Sequence, residues 1–281
     1  MMVITPSRSI RDDQVSVTAV SVNGGSAFTQ LLFRVIRSPL LSALALLVAM
    51  LLALEWLVAS GVVSPAVVAR PSVAIAGIAK LQRDYDLFGA FRLTMTTTIV
   101  AILLELIVAI PFGYFLYRRR AYSIAYTGWL AALSAAPIFL LFPLFLVIFG
   151  RNVVTLIVMG FLPGVIPLIL HVQDGFRSVK KTYLNVGESF GLSRSTIFWK
   201  IMVPAAAPTI FTGFRLALMY TLINIVAIEY LVDLGGLGRL VADRYFHFDI
   251  PATYGAIGAV TLVSVLLNWT IGVSEKLVRS R

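Results

Sequence analysis

NVGESFGLSRSTIFWKIMVP, residues 185–204, is a polar, helix-patterned insert in a chain that is otherwise mostly apolar. The surroundings set the class of fold. Of 281 residues, 59% are hydrophobic and only 13% charged, with a mean hydropathy of +0.93, against about a quarter charged in a soluble domain. This composition predicts an all-α integral membrane protein. The absence of cysteine excludes a disulfide scaffold, a thiolate metal site and a cysteine nucleophile. The net charge of +10 fits basic residues flanking membrane spans, so nucleic acid is not expected as a partner.

Six apolar runs reach the ~20 residues needed to cross the hydrocarbon core: Leu40 to Ser60, Phe91 to Leu116, Thr127 to Phe149, Val153 to Val172, Ala205 to Leu231 and Tyr254 to Val273. In the third, Pro137 and Pro143 break the helical ladder, and Arg151 leaves almost no loop before the fourth, so kinked helices in a tight hairpin are expected. Residues 1–38 read as a loosely structured cytoplasmic lead without a cleavable signal, and residues 39–281 as one membrane domain. With the amino terminus inside, cytoplasmic segments hold 15 basic residues and outer segments 7 of the 23, leaving Arg215 within the membrane. Both termini and the loop at about 173–204 are thus expected on the cytoplasmic side. Two outer segments are long enough to carry structure, Gly61 to Ala90 and the run from Val232 to Pro251 that opens with a glycine turn.

The insert has helical grammar. Tyr183, Leu184, Gly187 and Phe190 fall near one face; Gly191 permits a sharp turn; Ser193 suits an N-cap; Ile197, Phe198, Ile201 and Met202 form an apolar stripe that Pro204 is expected to close. Amphipathicity alone allows two readings, an interfacial helix lying on lipid headgroups or a rigid knob for a protein partner.

The spacing Gly191, nine residues, Ile201, one residue, Val203-Pro204 resembles the EAA loop of ABC-importer permeases, whose pattern is EAA, three residues, Gly, nine residues, Ile, one residue, Leu-Pro. Gly191, Ile201 and Pro204 match; Val203 replaces Leu; and Asn185, Val186 and Gly187 stand where the family has Glu, Ala and Ala. APIFLLFPLFLVIFG, DGFRSVKKTYLN and PAAAPTIFTGFRLALMYTLINIVAIEYL followed by GGLGRLV are similar in character to permeases of the nitrate, sulfonate and taurine type. The resemblance implies a bacterial inner-membrane permease whose loop between helices 4 and 5 is a coupling helix. Its implied partners are ATPase subunits carrying ATP and Mg, a second permease copy and an extracytoplasmic solute-binding protein. The implied ATPase-coupling set is Asn185, Gly187, Glu188, Gly191, Ile201 and Pro204. Glu188, one turn beyond Asn185, is the candidate to replace the displaced family Glu.

Charged groups at membrane depth need an explanation. Glu229 is either a pathway gate or an interfacial carboxylate with water or an Arg as partner. Glu105 suits a helix–helix hydrogen bond or transport, Arg215 snorkelling or local pairing, and Glu55 the outer interface. Tyr220 and Asn224 share a face of the fifth span, to line a cavity or to bind helices together. No catalytic constellation is visible. His171 and His247 fall on opposite predicted sides, so no shared metal site is expected, and no P-loop motif is present, so if transport is ATP-driven the ATPase must be a separate chain. The alternative function is an ion-gradient-driven secondary transporter, which would favour inverted repeats and a deep ionisable relay.

Overall fold

A computed structural model describes residues 39–279, and every regular element among them is helical. The expectations for residues 1–38 lie outside the described residues. Packing divides the chain into units of residues 1–53 and 54–281. In the first, the described part is the start of α1 (Pro39–Ala59), a Leu- and Ala-rich run whose large side chains are exposed, as a surface solvated by lipid requires.

The larger unit continues with α2 (Pro71–Asp84), α3 (Leu87–Arg118), α4 (Arg120–Ala135), a 3-10 turn (Ile138–Leu141), α5 (Phe142–Phe149) and α6 (Val153–Arg177). Then come α7 (Lys181–Ser189), α8 (Arg194–Ile197), a π turn (Phe198–Met202), α9 (Val203–Leu231), α10 (Gly236–Phe246) and α11 (Ile250–Arg279). The core is the trio α3, α6 and α9, where Ala109, Leu116, Leu168, Val172, Ala206 and Ala217 are buried. Small residues let these helices approach: a Cβ at Gly113 would lie 2.7 Å from Val172, and one at Gly160 2.7 Å from Ile225.

Among the described residues, five helices are long and apolar enough to cross a membrane, and the pair α4 and 138–149, bent by 80°, makes a sixth span if counted as one. The bent pair corrects two details of the sequence reading. Its first helix begins at Arg120, seven positions before Thr127, and its break falls at one proline only. Ala136, preceding Pro137, takes extended angles (φ −71°, ψ 139°), because a proline ring disfavours the helical region for the residue before it. Pro143 instead lies in the first turn of α5, where its missing N–H costs nothing.

At the end of the bundle far from residues 181–202, both long segments expected outside carry helices. Glu55 accepts hydrogen bonds from Ser72 N (3.1 Å) and Ser72 Oγ (2.8 Å), capping the start of α2 instead of simply reaching the interface. That helix crosses α11 closely, since a Cβ at Gly77 would lie 2.5 Å from Pro251 O. Lys80 Nζ meets Asp249 Oδ2 at 2.8 Å, and the Arg244 guanidinium lies 3.7 Å from the centre of the Tyr85 ring.

Candidate functional site

The segment 181–204 folds as a knob between α6 and α9. Helix α7 ends in a Schellman motif: Leu192 N–H donates to Gly187 O (3.1 Å), Gly191 N–H donates to Glu188 O (2.9 Å), and Gly191 takes φ +65°. Ser193 Oγ then accepts from Thr196 N (3.2 Å), capping α8. Glycine turn and cap thus match the sequence expectation.

The faces of the knob do not match it. Gly187 turns inward under Ile201 and Ile197: a Cβ there would lie 2.8 Å from Ile201 Cδ1 and 3.1 Å from Ile197 Cγ1. Leu184 follows it into the core, whereas Tyr183 and Phe190 are exposed, so the four residues do not share one face. Small residue and isoleucine in the EAA-type spacing are therefore a packing pair. Asn185 and Glu188 are both exposed and lie one turn apart on α7. Pro204 does not close a helix either, for the helix runs from Arg194 to Leu231. The π turn just before Pro204 widens the ladder, with Val203 N–H donating to Phe198 O, where a proline ring would otherwise clash with the carbonyl four residues back.

Phe198 ties the knob to the bundle. Its ring centroid is 5.1 Å from that of Tyr114 on α3 and 6.0 Å from that of Phe176 on α6, and Tyr117 lies 5.7 Å from Phe176. Sequence reading placed Phe198 in the stripe but could not name these partners, more than 20 and 80 residues away in the chain.

At the opposite end of α9 sits Glu229, with no exposed surface. Its carboxylate accepts from Thr94 Oγ1 on α3 (2.8 and 2.9 Å) and from Gly238 N (3.0 Å), while Thr94 Oγ1 accepts from Leu237 N (2.9 Å). The glycine turn forms the cradle. Gly235 and Gly236 have φ of +93° and +88°, and a Cβ on Gly236 would lie 2.1 Å from Glu229 Cδ. The carboxylate thus caps α10 from within the chain, where the helix N-terminus favours negative charge. Its partners are Thr94 and the turn before α10, in place of the water or Arg expected of an interfacial carboxylate. Thr94 was missed; the signal was TMTTT at 94–98, where Thr94, Thr97 and Thr98 are buried along one side of an otherwise apolar span.

Tyr220 and Asn224 do share a side of α9. Tyr220 is exposed, and Asn224 Nδ2 donates to Tyr220 O at 2.8 Å. Beside them an apolar groove of about 430 Å³ runs between α9 and α11, lined by Phe139, Ile223, Val226, Tyr230, Val260 and Ser264 among others. Glu105, also fully buried, accepts from Thr221 Oγ1 across the α3–α9 contact, and a Cβ on Gly164 would lie 2.3 Å from its Oε1. That is a helix–helix contact.

Among the described residues the chain is an all-helical bundle with five to six apolar spans and a capped helical knob between two of them, the architecture of a multi-pass membrane protein. The chain belongs to the family described as binding-protein-dependent transport system inner membrane component, whose family model matches residues 106–281. It is 25% identical over 182 residues to the choline transport system permease protein OpuBB of Bacillus subtilis, covering 65% of this chain and 83% of that one. It is 22% identical over 209 residues to the formylaminopyrimidine transport permease protein ThiX of Halalkalibacterium halodurans, covering 73% and 84%. The bicarbonate transport system permease protein CmpB of Synechocystis is 30% identical over 137 residues, 48% of this chain and 49% of that one. Among solved structures, an inward-facing MetNI methionine ABC transporter chain shares the fold at TM-score 0.56 and 20% identity, over 69% of this chain and 95% of that chain. The protein is thus an ABC importer permease subunit and a multi-pass membrane protein. Its relatives are generally non-catalytic subunits, with ATP hydrolysis on a separate ATPase.

Proposed function

We propose that the chain forms one half of a solute pathway and that its knob docks in a groove of the ATPase subunit. One observation carries the reading: the knob's inner face is closed by Gly187 against Ile197 and Ile201 and tied to the bundle by Phe198, while Val186, Phe190, Leu192 and Trp199 remain exposed, Phe190 at 79%. These side chains alternate with exposed Asn185, Glu188 and Arg194. A helix resting on lipid needs an unbroken apolar half, whereas interleaved aromatic and polar groups suit a protein groove. Membership of the family favours this over the ion-gradient carrier.

In this reading the knob side and both termini face the cytoplasm, ATP and Mg are held by the ATPase, and a second copy or related permease completes the pathway. A solute-binding protein delivers solute at the α10 end. Tyr220, Asn224 and the adjoining groove line the path, and Glu229 holds α10 in place. The solute is a small molecule of the nitrate, sulfonate, taurine or heterocyclic-precursor kind. The test is copurification. Phe190→Asp should leave the chain in the membrane and release the ATPase subunit; an intact complex with that variant returns the knob to the lipid surface.

A further inference from the structure

The junction of α3 and α4 carries a recess of about 510 Å³ lined by Tyr114, Phe115, Arg118 and Arg119. A single residue joins the two helices: Arg119 N–H donates to Phe115 O (3.0 Å) as the last bond of α3, and Arg119 O accepts from Ser123 N (3.0 Å) as the first of α4. Arg118, Arg119 and Arg120 are all exposed, and no carboxylate among the described residues pairs with any of them. The wall beyond the arginines is aromatic and open. Ring centroids of Phe115 and Tyr122 lie 5.2 Å apart, those of Tyr122 and Tyr126 6.3 Å apart, and Trp129, one turn further on, is 72% exposed.

Helix α4 is amphipathic in the sense a membrane dictates, polar side inward. Gln173 on α6 donates from Nε2 to Ser123 Oγ (2.7 Å) and Thr127 Oγ1 (3.2 Å), so Tyr122, Tyr126, Trp129 and Leu133, spaced at helical intervals, face outward and are exposed. Depth places the arginines. The apolar run of α3 from Phe91 to Leu116 is about 39 Å long, more than the hydrocarbon core of about 30 Å, and Tyr114 near its end packs on Phe198 of the knob. Arg118 and Arg119 therefore sit at headgroup level in the leaflet on the knob side, and the aromatic stripe of α4 runs from there into the hydrocarbon.

We infer that this recess binds one anionic phospholipid of that leaflet, with its phosphate between Arg118 and Arg119 and an acyl chain along Phe115, Tyr122 and Tyr126. Three guanidinium groups without a carboxylate partner require a negative ligand, and the planar fork of arginine matches phosphate. The exposed stripe requires a ligand with a long apolar part. A lipid has both. Inorganic phosphate would leave the aromatic column bare, and a soluble ATPase subunit cannot follow that column into the hydrocarbon. A second copy of this chain packed here about a two-fold axis would bring three more arginines against these. The inference rests on the spans and this recess, not on the solute or on ATPase docking.

The test uses the full chain purified in detergent, stripped of lipid, and titrated with phosphatidylglycerol, phosphatidylethanolamine or phosphatidylcholine while bound lipid is counted by native mass spectrometry. One phosphatidylglycerol per chain is expected, bound about tenfold or more tighter than either zwitterionic lipid and not displaced by excess inorganic phosphate. The double variant Arg118→Gln/Arg119→Gln, in which both side chains are exposed and the thermal stability should be kept, should weaken that binding by about tenfold or more, the size of one charge-assisted contact. Arg83→Gln/Arg92→Gln removes the same charge from exposed positions on α2 and α3 at the other end of the bundle and should leave it unchanged. Equal binding of the three lipids by the unaltered chain, displacement by phosphate, or equal weakening by the two double variants overturns the site. So does loss of ATPase copurification in Arg118→Gln/Arg119→Gln with lipid binding intact, because the arginines then serve the ATPase.

Discussion

Gly191→Val isolates the geometry of the knob from its chemistry. Gly191 has φ +65°, and a Cβ there would meet nothing within 4 Å, so any penalty comes from the backbone and not from a clash. A left-handed conformation costs a residue with a side chain about 1–2 kcal/mol, and β-branching adds to this. If the turn opens to relieve the strain, the bonds from Leu192 N to Gly187 O and from Gly191 N to Glu188 O are lost, each worth about 1 kcal/mol net. The total, about 1–3 kcal/mol, leaves a bundle of this size folded but raises the opened knob population by about fivefold or more. In proteoliposomes holding the ATPase and binding-protein partners, the expected result is ATP hydrolysis that no longer responds to solute. Amide exchange should quicken in residues 181–197 alone. Gly191→Asn is the control, since asparagine tolerates the left-handed region, and should retain most coupling. Equal loss with Asn and Val, or normal coupling and exchange with Val, would refute the view that this backbone turn sets the knob angle.

The other predictions follow from specific contacts. Gly187→Ala should be tolerated, because it requires a shift only of the movable end of Ile201 and a small one of the Ile197 side chain, and helix propensity improves by up to about 1 kcal/mol, whereas Gly187→Leu should pry α7 from Ile197 and Ile201 and abolish copurification of the ATPase. Glu229→Gln should cost about 1–2 kcal/mol and Glu229→Ala about 3 kcal/mol or more, read as lower thermal stability and faster exchange across residues 232–247; a Gln variant that is fully stable yet inactive in uptake would instead make Glu229 a gate. The Lys80–Asp249 pair should loosen in acid. Burial pushes the Asp249 carboxyl up, but the Lys80 ammonium, the Ala252 N–H and the charge of Arg244 more than offset this and hold it below the usual aspartate value. A depressed acid contributes stability above its unfolded-state pKa and loses it as pH falls through the lowered folded-state value, so exchange in α2 should rise in that acid range and should lose its pH dependence in Asp249→Asn. At the alkaline end the hydrogen bond and charge of Asp249 hold the Lys80 pKa up, so that limb should appear only above the usual lysine range.

What could be read from sequence was what local chemistry determines. Spans follow from apolar length, and Gly191 with Ser193 announces a turn and a cap because both act within four residues of themselves. Pro204 misled the reading because a proline inside a helical run ordinarily ends it; the π turn that accommodates it begins at Phe198, which packs against the distant Tyr114 and Phe176. Glu229 could not be placed because its partner Thr94 lies 135 residues away, and a carboxylate beside a glycine turn reads as gate or interface until that partner is known. Glu55 has the same history, its partner Ser72 lying across a loop.

These long-range contacts give α9 a mechanical character that its sequence does not show. Knob and span share one helix from Arg194 to Leu231, 38 residues or about 57 Å, so α8 and the outer end of α9 are parts of one rod. Near its lower end the rod is gripped by aromatic rings of α3 and α6 around Phe198, and at its upper end Glu229 fastens it to α10 and α3. Between the two lie the close crossings at Gly160 and Gly213, where a Cβ would lie 2.7 Å from Ile225 and 2.3 Å from His171, so the middle of the rod cannot yield by small deformations. The soft points are the π turn and Pro208, both at the knob end. A push on the knob must therefore either bend the rod at Phe198–Pro208 or turn α9 and α10 together as one body. The Gly191 and Glu229 variants separate these outcomes, because bending leaves exchange in α10 unchanged when the knob is loosened, while rigid rotation links the two.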